Sequence, residues 1–180
     1  WWLWPEEMRS HGKARQRPEK PTLAKDVHLH RFLQYVFLGQ WKRLRDYAHS
    51  RNIRILGDLP IYVAPDCTEV WQRPDLFQLD ITTGLPAAVA GVPPDYFNPD
   101  GQLWGNPLYD WPAHENEGYA WWLERLASQV RLFDVTRIDH FRGFHDYWSI
   151  SAEQEDAREG QWEPGPGLPF FEAVRHRFPD

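Results

Sequence analysis

The 180-residue chain has a single cysteine, Cys67, and no apolar run near the ~20 residues that cross a bilayer. One cysteine cannot close an internal disulfide, so nothing here calls for an oxidising compartment. Cys67 lies in Pro65-Asp66-Cys67-Thr68 with no histidine close in sequence, which gives its thiol little support as a nucleophile. A concentrated basic stretch is also missing. Twenty Lys and Arg are interspersed with 26 Asp and Glu, for a formal charge of −6. That excludes the electrostatic footprint of a nucleic-acid binder and leaves an ordinary solvated surface. There is no G-x-S-x-G, no P-loop and no Cys/His zinc spacing. The opening Trp1-Trp2-Leu3-Trp4-Pro5 has neither the charged flank nor the small-residue cleavage site of a signal peptide. It also lacks an initiator Met, so the natural N-terminus is expected to lie upstream.

What the chain has in abundance is aromatic side chains: 11 Trp, 7 Tyr and 10 Phe. Many fall outside periodic segments, in Gly/Pro-rich stretches such as 91–111. Aromatics in helices are usually core, whereas aromatics crowded into loops more often build a binding platform. The weakly polar faces of sugar rings suit such a platform. Nucleobases also stack on aromatics, but normally within a basic groove.

Residues 1–25 are rich in Pro and charge, show no period, and read as an irregular lead-in. From 26 to 50, Leu29, Phe32, Leu33, Val36, Phe37, Trp41, Leu44, Tyr47 and Ala48 recur at spacings of three and four. This predicts an amphipathic helix with Asp26 as an early cap. The aliphatic run Ile53–Ile61, closed by Gly57 and Pro60, predicts a buried strand. A second unit follows: a helix over 118–133, carried by Ala120, Leu123, Leu126, Ala127, Val130 and Phe133, then a strand Val135-Thr136-Arg137-Ile138-Asp139. Between the units, 62–117 predicts a long functional insertion with a short helix near 67–72 and little else regular. A last helix is expected near 168–177, with Phe170, Phe171, Val174 and Phe178 at helical spacings.

Helix–strand, insertion, helix–strand, helix is an α/β pattern. Each strand is read as ending in a carboxylate, Asp58 on the first and Asp139 on the second. Catalytic groups at the C-terminal ends of parallel strands suit a (β/α)₈ barrel, which takes ~250 residues, so the strands here account for a quarter to a half of one. Within the second strand, Arg137 and Asp139 share a face, being two residues apart. An Arg beside an Asp favours the ionised carboxylate and fixes its orientation, as a nucleophile needs and a general acid does not. A structural ion pair at a strand end fits the pattern equally well. Asp58 could cap a turn or bind sugar hydroxyls. The stretch from Val92 to Pro107 mixes polar and aromatic side chains, as a sugar site or a self-packed loop would. His28 and His30, two apart at the start of a helix, point in different directions and read as surface.

Three blocks resemble the 4-α-glucanotransferases of the amylomaltase and disproportionating-enzyme type, glycoside hydrolase family 77. They are Gly57-Asp58-Leu59-Pro60-Ile61-Tyr62-Val63-Ala64; Val89–Phe97 with Gly101–Tyr109; and Arg137-Ile138-Asp139-His140-Phe141-Arg142-Gly143-Phe144. The similarity runs from about residue 26 to the end.

The resemblance implies a partial (β/α)₈ barrel, with 26–180 the central portion of its catalytic domain and 62–117 the insertion and active-site loop. It implies retaining transfer of α-1,4-glucan segments between maltooligosaccharides through a covalent glycosyl-Asp, with no cofactor or metal, in the cytoplasm or, for a plant or algal parent, a plastid. No nucleic-acid or membrane partner is implied, and oligomeric state is silent. It makes Asp139 the nucleophile, supported by Arg137, with substrate contacts from Asp58, Tyr62, Asp95, Tyr96, Phe97, Gln102, Trp104, Asn106 and His140. The family's acid/base Glu lies in an A-E-D-L-G block on the next strand, and its transition-state His-Asp pair lies later still. Neither is present in this sequence, and His145-Asp146 does not match the latter. Pro65 and Cys67 depart from the usual His and Ser. Such a piece is expected to be inactive alone. Two other readings stay open: an α-glucan hydrolase of the α-amylase-like group, and a non-catalytic, all-β carbohydrate-binding module.

Overall fold

The computed structural model describes residues 1–16 and 21–179. Helices α1 (Glu6–Arg9), α2 (His11–Arg15) and α3 (Pro21–Ser50) lead into strand β1 (Leu56–Pro60). Helix α4 (Thr68–Gln72) and a 3₁₀ turn at Pro74–Leu76 follow. Next come β2 (Ala88–Val92), β3 (Gln102–Pro107), α5 (Trp111–Asn116), α6 (Ala120–Leu132) and β4 (Val135–Asp139). A 3₁₀ turn at Phe141–Phe144, β5 (Asp146–Ser151), β6 (Gln161–Pro164) and α7 (Gly167–Arg177) complete the order.

Strands β1 and β4 pair in parallel, with Leu56 opposite Val135, Asp58 opposite Arg137 and Pro60 opposite Asp139. Side chains two apart share a face. Gly57 and Leu59 are buried while Leu56, Asp58 and Pro60 are open. On β4, Val135, Arg137 and Asp139 are likewise the exposed set. The covered face packs on α6, where the Phe133 ring lies so close over Gly57 that a Cβ there would overlap it.

The other strands form an antiparallel sheet in the order β3-β2-β5-β6. Between the two sheets lies an aromatic core in which Trp122, Tyr109, Phe144 and Phe170 are fully buried. Phe144 and Phe170 stack with centroids 4.7 Å apart.

Several expectations need correcting. Residues 1–25 are not uniformly irregular: α1 and α2 are short helices, and Trp71 Nε1 donates to the Met8 carbonyl at 2.9 Å, tying this segment to α4. Residues 17–20 lie outside the described residues. Asp26 does not cap a helix, because it lies inside α3 (Pro21–Ser50). His28 and His30 therefore sit inside α3 rather than at its start, and both are exposed. The predicted amphipathic face of α3 is only partly covered, with Phe32 and Tyr47 about 60% exposed. The first strand is shorter than predicted. Asp58 is its third residue of five, not its end, since Pro60 stays in register opposite Asp139 without needing to donate. The stretch 62–117 holds β2, β3 and α5 in addition to the expected α4. Strands β5 and β6 were not foreseen. An all-β module is excluded by the parallel pair and the helices around it.

His114, on α5, is completely buried among the rings of Tyr109, Trp111 and Trp121. Neither ring nitrogen makes a well-formed hydrogen bond. Burial pushes its pKa from 6.5 to about 4, against the opposing pull of Glu117, the nearby Leu76 carbonyl and Asp110. A histidine with a lowered folded pKa is neutral in the native state and takes up its proton on unfolding. Stability from this group is therefore complete above pH 6.5 and lost as pH falls toward 4. Urea unfolding at pH 7.5 and 4.5 should show His114→Phe losing roughly 2–3 kcal/mol less than the parent over that interval. Equal losses in the two proteins would count against the assignment.

Candidate active site

The open face of the parallel pair carries the charged groups. Arg137 Nη1 donates to Asp58 Oδ2 at 2.8 Å, and its Nη2 donates to Asp139 Oδ1. One guanidinium thus bridges two carboxylates from neighbouring strands. Register makes this possible: Asp58 lies directly across from Arg137, and Asp139 is two residues further on the same face. All three side chains are a little over half exposed. Asp139 Oδ2 takes no hydrogen bond from any described residue.

Immediately after Asp139 the chain turns sharply. His140 takes a left-handed backbone conformation, φ 54°, leading into the 3₁₀ turn. Such a conformation costs a β-carbon-bearing residue roughly 1–2 kcal/mol. It turns the imidazole edge-on to Trp104, with centroids 4.7 Å apart at 89°. Tyr62 completes a three-ring cluster, 6.2 Å from Trp104 and 6.3 Å from His140. Burial lowers the His140 pKa, outweighing the attraction of the Asp139 carboxylate, so the ring is neutral at pH 7. Its Nε2 is buried without a hydrogen-bond partner. Burial raises the Tyr62 pKa, with Tyr109 and Tyr147 adding to it, so the phenol keeps its proton.

A cavity of about 180 Å³ lies at this corner, lined by Pro60, Ile61, Tyr62, Trp104, Asn106, Asp139 and His140. It is smaller than a typical small-molecule site of ~300–1,000 Å³, so it holds part of a ligand rather than a whole oligosaccharide. Larger clefts lie elsewhere. One, about 810 Å³, is between the N-terminal turns and α4; another, about 580 Å³, is at the N-terminal ends of β1 and β4; and one of about 640 Å³ is between α3 and α6. None of these contains Asp139, so the chemistry rather than the volume marks the site.

Five of the expected residues thus meet at the cavity: Tyr62, Trp104, Asn106, Asp139 and His140. Asn106 Nδ2 also donates to the Val63 carbonyl at 2.8 Å, tying β3 to the end of the first motif. Arg137 and Asp58 stand beside the cavity on the charged face without lining it. Gln102 likewise does not line it; its Oε1 accepts from Trp104 Nε1 at 3.0 Å and orients that ring. Asp95 caps a turn, accepting the Phe97 and Asn98 amides at 2.8 Å each. That turn presents Tyr96 and Phe97 almost fully to solvent, 96% and 90% exposed and 5.5 Å apart edge to face. They are not part of the cavity. Pro60 and Ile61, which line it, were not singled out from sequence. The signal available was their position in the alternation, since Pro60 faces the register position of Asp139.

Parallel strands carrying carboxylates to the edge of an aromatic cavity, with helices packed around them, define an α/β protein. Comparison with known proteins gives the family. The family model for 4-alpha-glucanotransferase, glycoside hydrolase family 77, matches residues 1–180. The 4-alpha-glucanotransferase of Clostridium butyricum is 43% identical over 180 residues, all of this chain and 37% of its own length. That of Thermus thermophilus is 46% identical over 178 residues, 99% of this chain and 35% of its own. The structure of Streptococcus agalactiae amylomaltase in complex with acarbose matches with a TM-score of 0.89 at 41% identity, over 99% of this chain and 36% of that one. The chain belongs to the 4-α-glucanotransferase family, and it spans about a third of the length of these relatives. Among the described residues, no helix is long and apolar enough to cross a membrane.

The Arg137 bridge is exposed, and exposed ion pairs contribute about 0–1 kcal/mol to stability. Arg137→Met should therefore shift the unfolding free energy by less than about 1 kcal/mol in urea titration. A much larger loss would make the triad a structural support rather than a functional arrangement.

Proposed function

We propose that the protein carrying this chain is a 4-α-glucanotransferase that moves α-1,4-glucan segments between maltooligosaccharides, with Asp139 as its nucleophile. One observation carries the reading: Asp139 opens onto the aromatic cavity with one oxygen held by Arg137 and the other without a protein partner. Family membership supplies the reaction class, and the bound acarbose in the S. agalactiae relative supports an α-glucan ligand.

In this reading β1 and β4 are adjacent strands of a (β/α)₈ barrel and their charged ends face its mouth. The Asp139 carboxylate attacks the anomeric carbon of a bound glucan. The bond from that carbon to the glycosidic oxygen breaks, and the oxygen leaves with a proton from a second carboxyl group ~5–5.5 Å from the first. A glycosyl ester on Asp139 results. The hydroxyl of an acceptor sugar then attacks the same carbon, giving its proton to the second carboxylate and releasing Asp139. That second carboxyl belongs to the A-E-D-L-G block of the family, which this sequence does not contain. Arg137 holds Asp139 and Asp58 through one guanidinium. His140, neutral, and Asp58 contact the sugar beside the scissile bond, while Tyr62 and Trp104 form its apolar wall. The Tyr96–Phe97 turn, braced by Asp95, covers the outer part of the glucan.

Three outcomes test this. In the full-length protein Asp139→Asn should lower maltotriose disproportionation at least about 10³-fold, the scale of losing a nucleophile. The parent should yield products both longer and shorter than maltotriose. Shorter products alone would point to hydrolysis instead. The 180-residue chain by itself should release no glucose from maltotriose above a blank. Release above the blank would show that the second carboxyl is supplied from within it.

A further inference from the structure

Arg125, in the middle of α6, was not marked by any motif and does not line the cavity. It is half-buried, and its donors go in an unusual direction. Nη2 donates to the Pro60 carbonyl at 2.7 Å, and Nη1 donates to the Ile61 carbonyl at 2.8 Å. The same Ile61 carbonyl also accepts from the Tyr109 hydroxyl at 2.6 Å. The guanidinium carbon lies 4.8 Å from the centre of the Trp122 ring and 5.5 Å from that of Trp121. Among the described residues no carboxylate is within ion-pair distance of it. A charged fork is thus spent on two consecutive carbonyls where β1 leaves the sheet.

Those carbonyls belong to the wall that faces the nucleophile. Pro60 is the register partner of Asp139, and Pro60, Ile61 and Tyr62 form one side of the cavity onto which Asp139 opens. Beyond Pro60 the β1–β4 ladder ends, so the path of this turn rests on side chains: Arg125, Tyr109 on the Ile61 carbonyl, and Asn106 on the Val63 carbonyl. Two parallel donors at fixed spacing can fix it, and a planar guanidinium supplies them where an ammonium cannot. We propose that Arg125 is a positioning residue for glucan transfer, clamping the Pro60–Ile61 carbonyls so that the Ile61–Tyr62 wall holds the reacting sugar against Asp139. This rests on the transferase reading above. The two can fail separately, because the clamp also has a signature that needs no activity.

The test uses the full-length protein with Arg125→Met, Arg125→Lys, Tyr62→Leu and the Arg125→Met/Tyr62→Leu pair. Amide exchange read by mass spectrometry over residues 59–64 should quicken about tenfold or more in Arg125→Met, with β4 unchanged. Unchanged exchange over 59–64 overturns the clamp. For maltotriose, kcat should fall roughly 10–100-fold, as a reacting group displaced by about 1 Å would require, while KM moves less than about threefold. Arg125→Lys, which keeps the charge and the stem over Trp122 but reaches one carbonyl, should recover part of the lost kcat. It also provides the measurement if Arg125→Met does not fold. In the Tyr62→Leu background Arg125→Met should cost little more, because both act on one wall. Losses that multiply, or that track a lowered melting temperature in every variant, assign Arg125 to general stability and overturn the proposal. A parent that exchanges as expected yet makes no longer products would refute the transferase reading and leave the clamp standing.

Discussion

Asp134 sits one residue before β4, and its carboxylate joins three elements at once. Oδ2 accepts the Ile55 amide at 2.8 Å, while Arg45 and His49 of α3 reach the same group at 2.8 and 2.9 Å. The Asp134 amide in turn donates to the Ile55 carbonyl at 2.9 Å. The Ile55 amide, with His49 and Arg45, holds this carboxyl well below the usual range, so it stays ionised down to strongly acidic pH. This knot sets where β4 begins relative to β1. Slipping the pair by one residue would send every side chain to the opposite face. Arg137 would then no longer lie between Asp58 and Asp139, and Asp139 would turn from the cavity to the core. The site depends on a register fixed at the far end of its strands.

The energetics of the two ends differ. At the far end the groups serve stability, with Trp41 Nε1 donating to the Leu132 carbonyl at 2.8 Å and the Phe133 ring lying over Gly57. At the near end they do not. Exposed ion pairs contribute little, the left-handed backbone at His140 costs energy, and its Nε2 is left without a partner in a buried place. Local rules are broken together at one corner, and the aromatic core beside it carries the cost. Trp122, Tyr109, Phe144 and Phe170, packed without exposure, hold the turn after β4 against α7 and α6.

Legibility in the sequence followed the range of the interactions. Helix α6 and strand β4 were readable because their patterns are local: spacings of three and four, then alternation ending at Asp139. Strand β2, Ala-Val-Ala-Gly-Val, has neither polar alternation nor bulky β-branched density, because it is buried between β3 and β5. Its Gly91 is there because the Gln102 carbonyl and Ile150 occupy the space a Cβ would take. Those partners are 11 and 59 residues away and invisible to any window. Asp139, Arg137, Tyr62, Trp104 and His140 were named from motifs, and the structure brings them to one corner. The motifs did not show that Gln102 serves Trp104, or that Asp95 serves a turn. Arg125 was not picked out, because the acceptors of its shortest hydrogen bonds are the Pro60 and Ile61 carbonyls, a chemistry every residue has.

The open face of the parallel pair also argues for what covers it. It is layered along the strands: Leu56 with Val135 at the N-terminal end, Asp58 with Arg137 in the middle, Pro60 with Asp139 at the C-terminal end. Leu56 is 63% and Val135 40% exposed in this chain. An outward, solvated face would not begin with two aliphatic side chains, and parallel sheets are characteristically covered on both faces. Layers that run from aliphatic to charged toward the C-terminal ends are what a barrel interior requires, packed below and reactive above. The chain spans about a third of its relatives' length, and under the proposed barrel reading further strands would supply that cover. The same closure would bring a second carboxyl across from Asp139. Under the proposed barrel reading the exposed apolar layer and the half-exposed Asp139 carboxylate have one cause: each would be half of an arrangement that further strands complete.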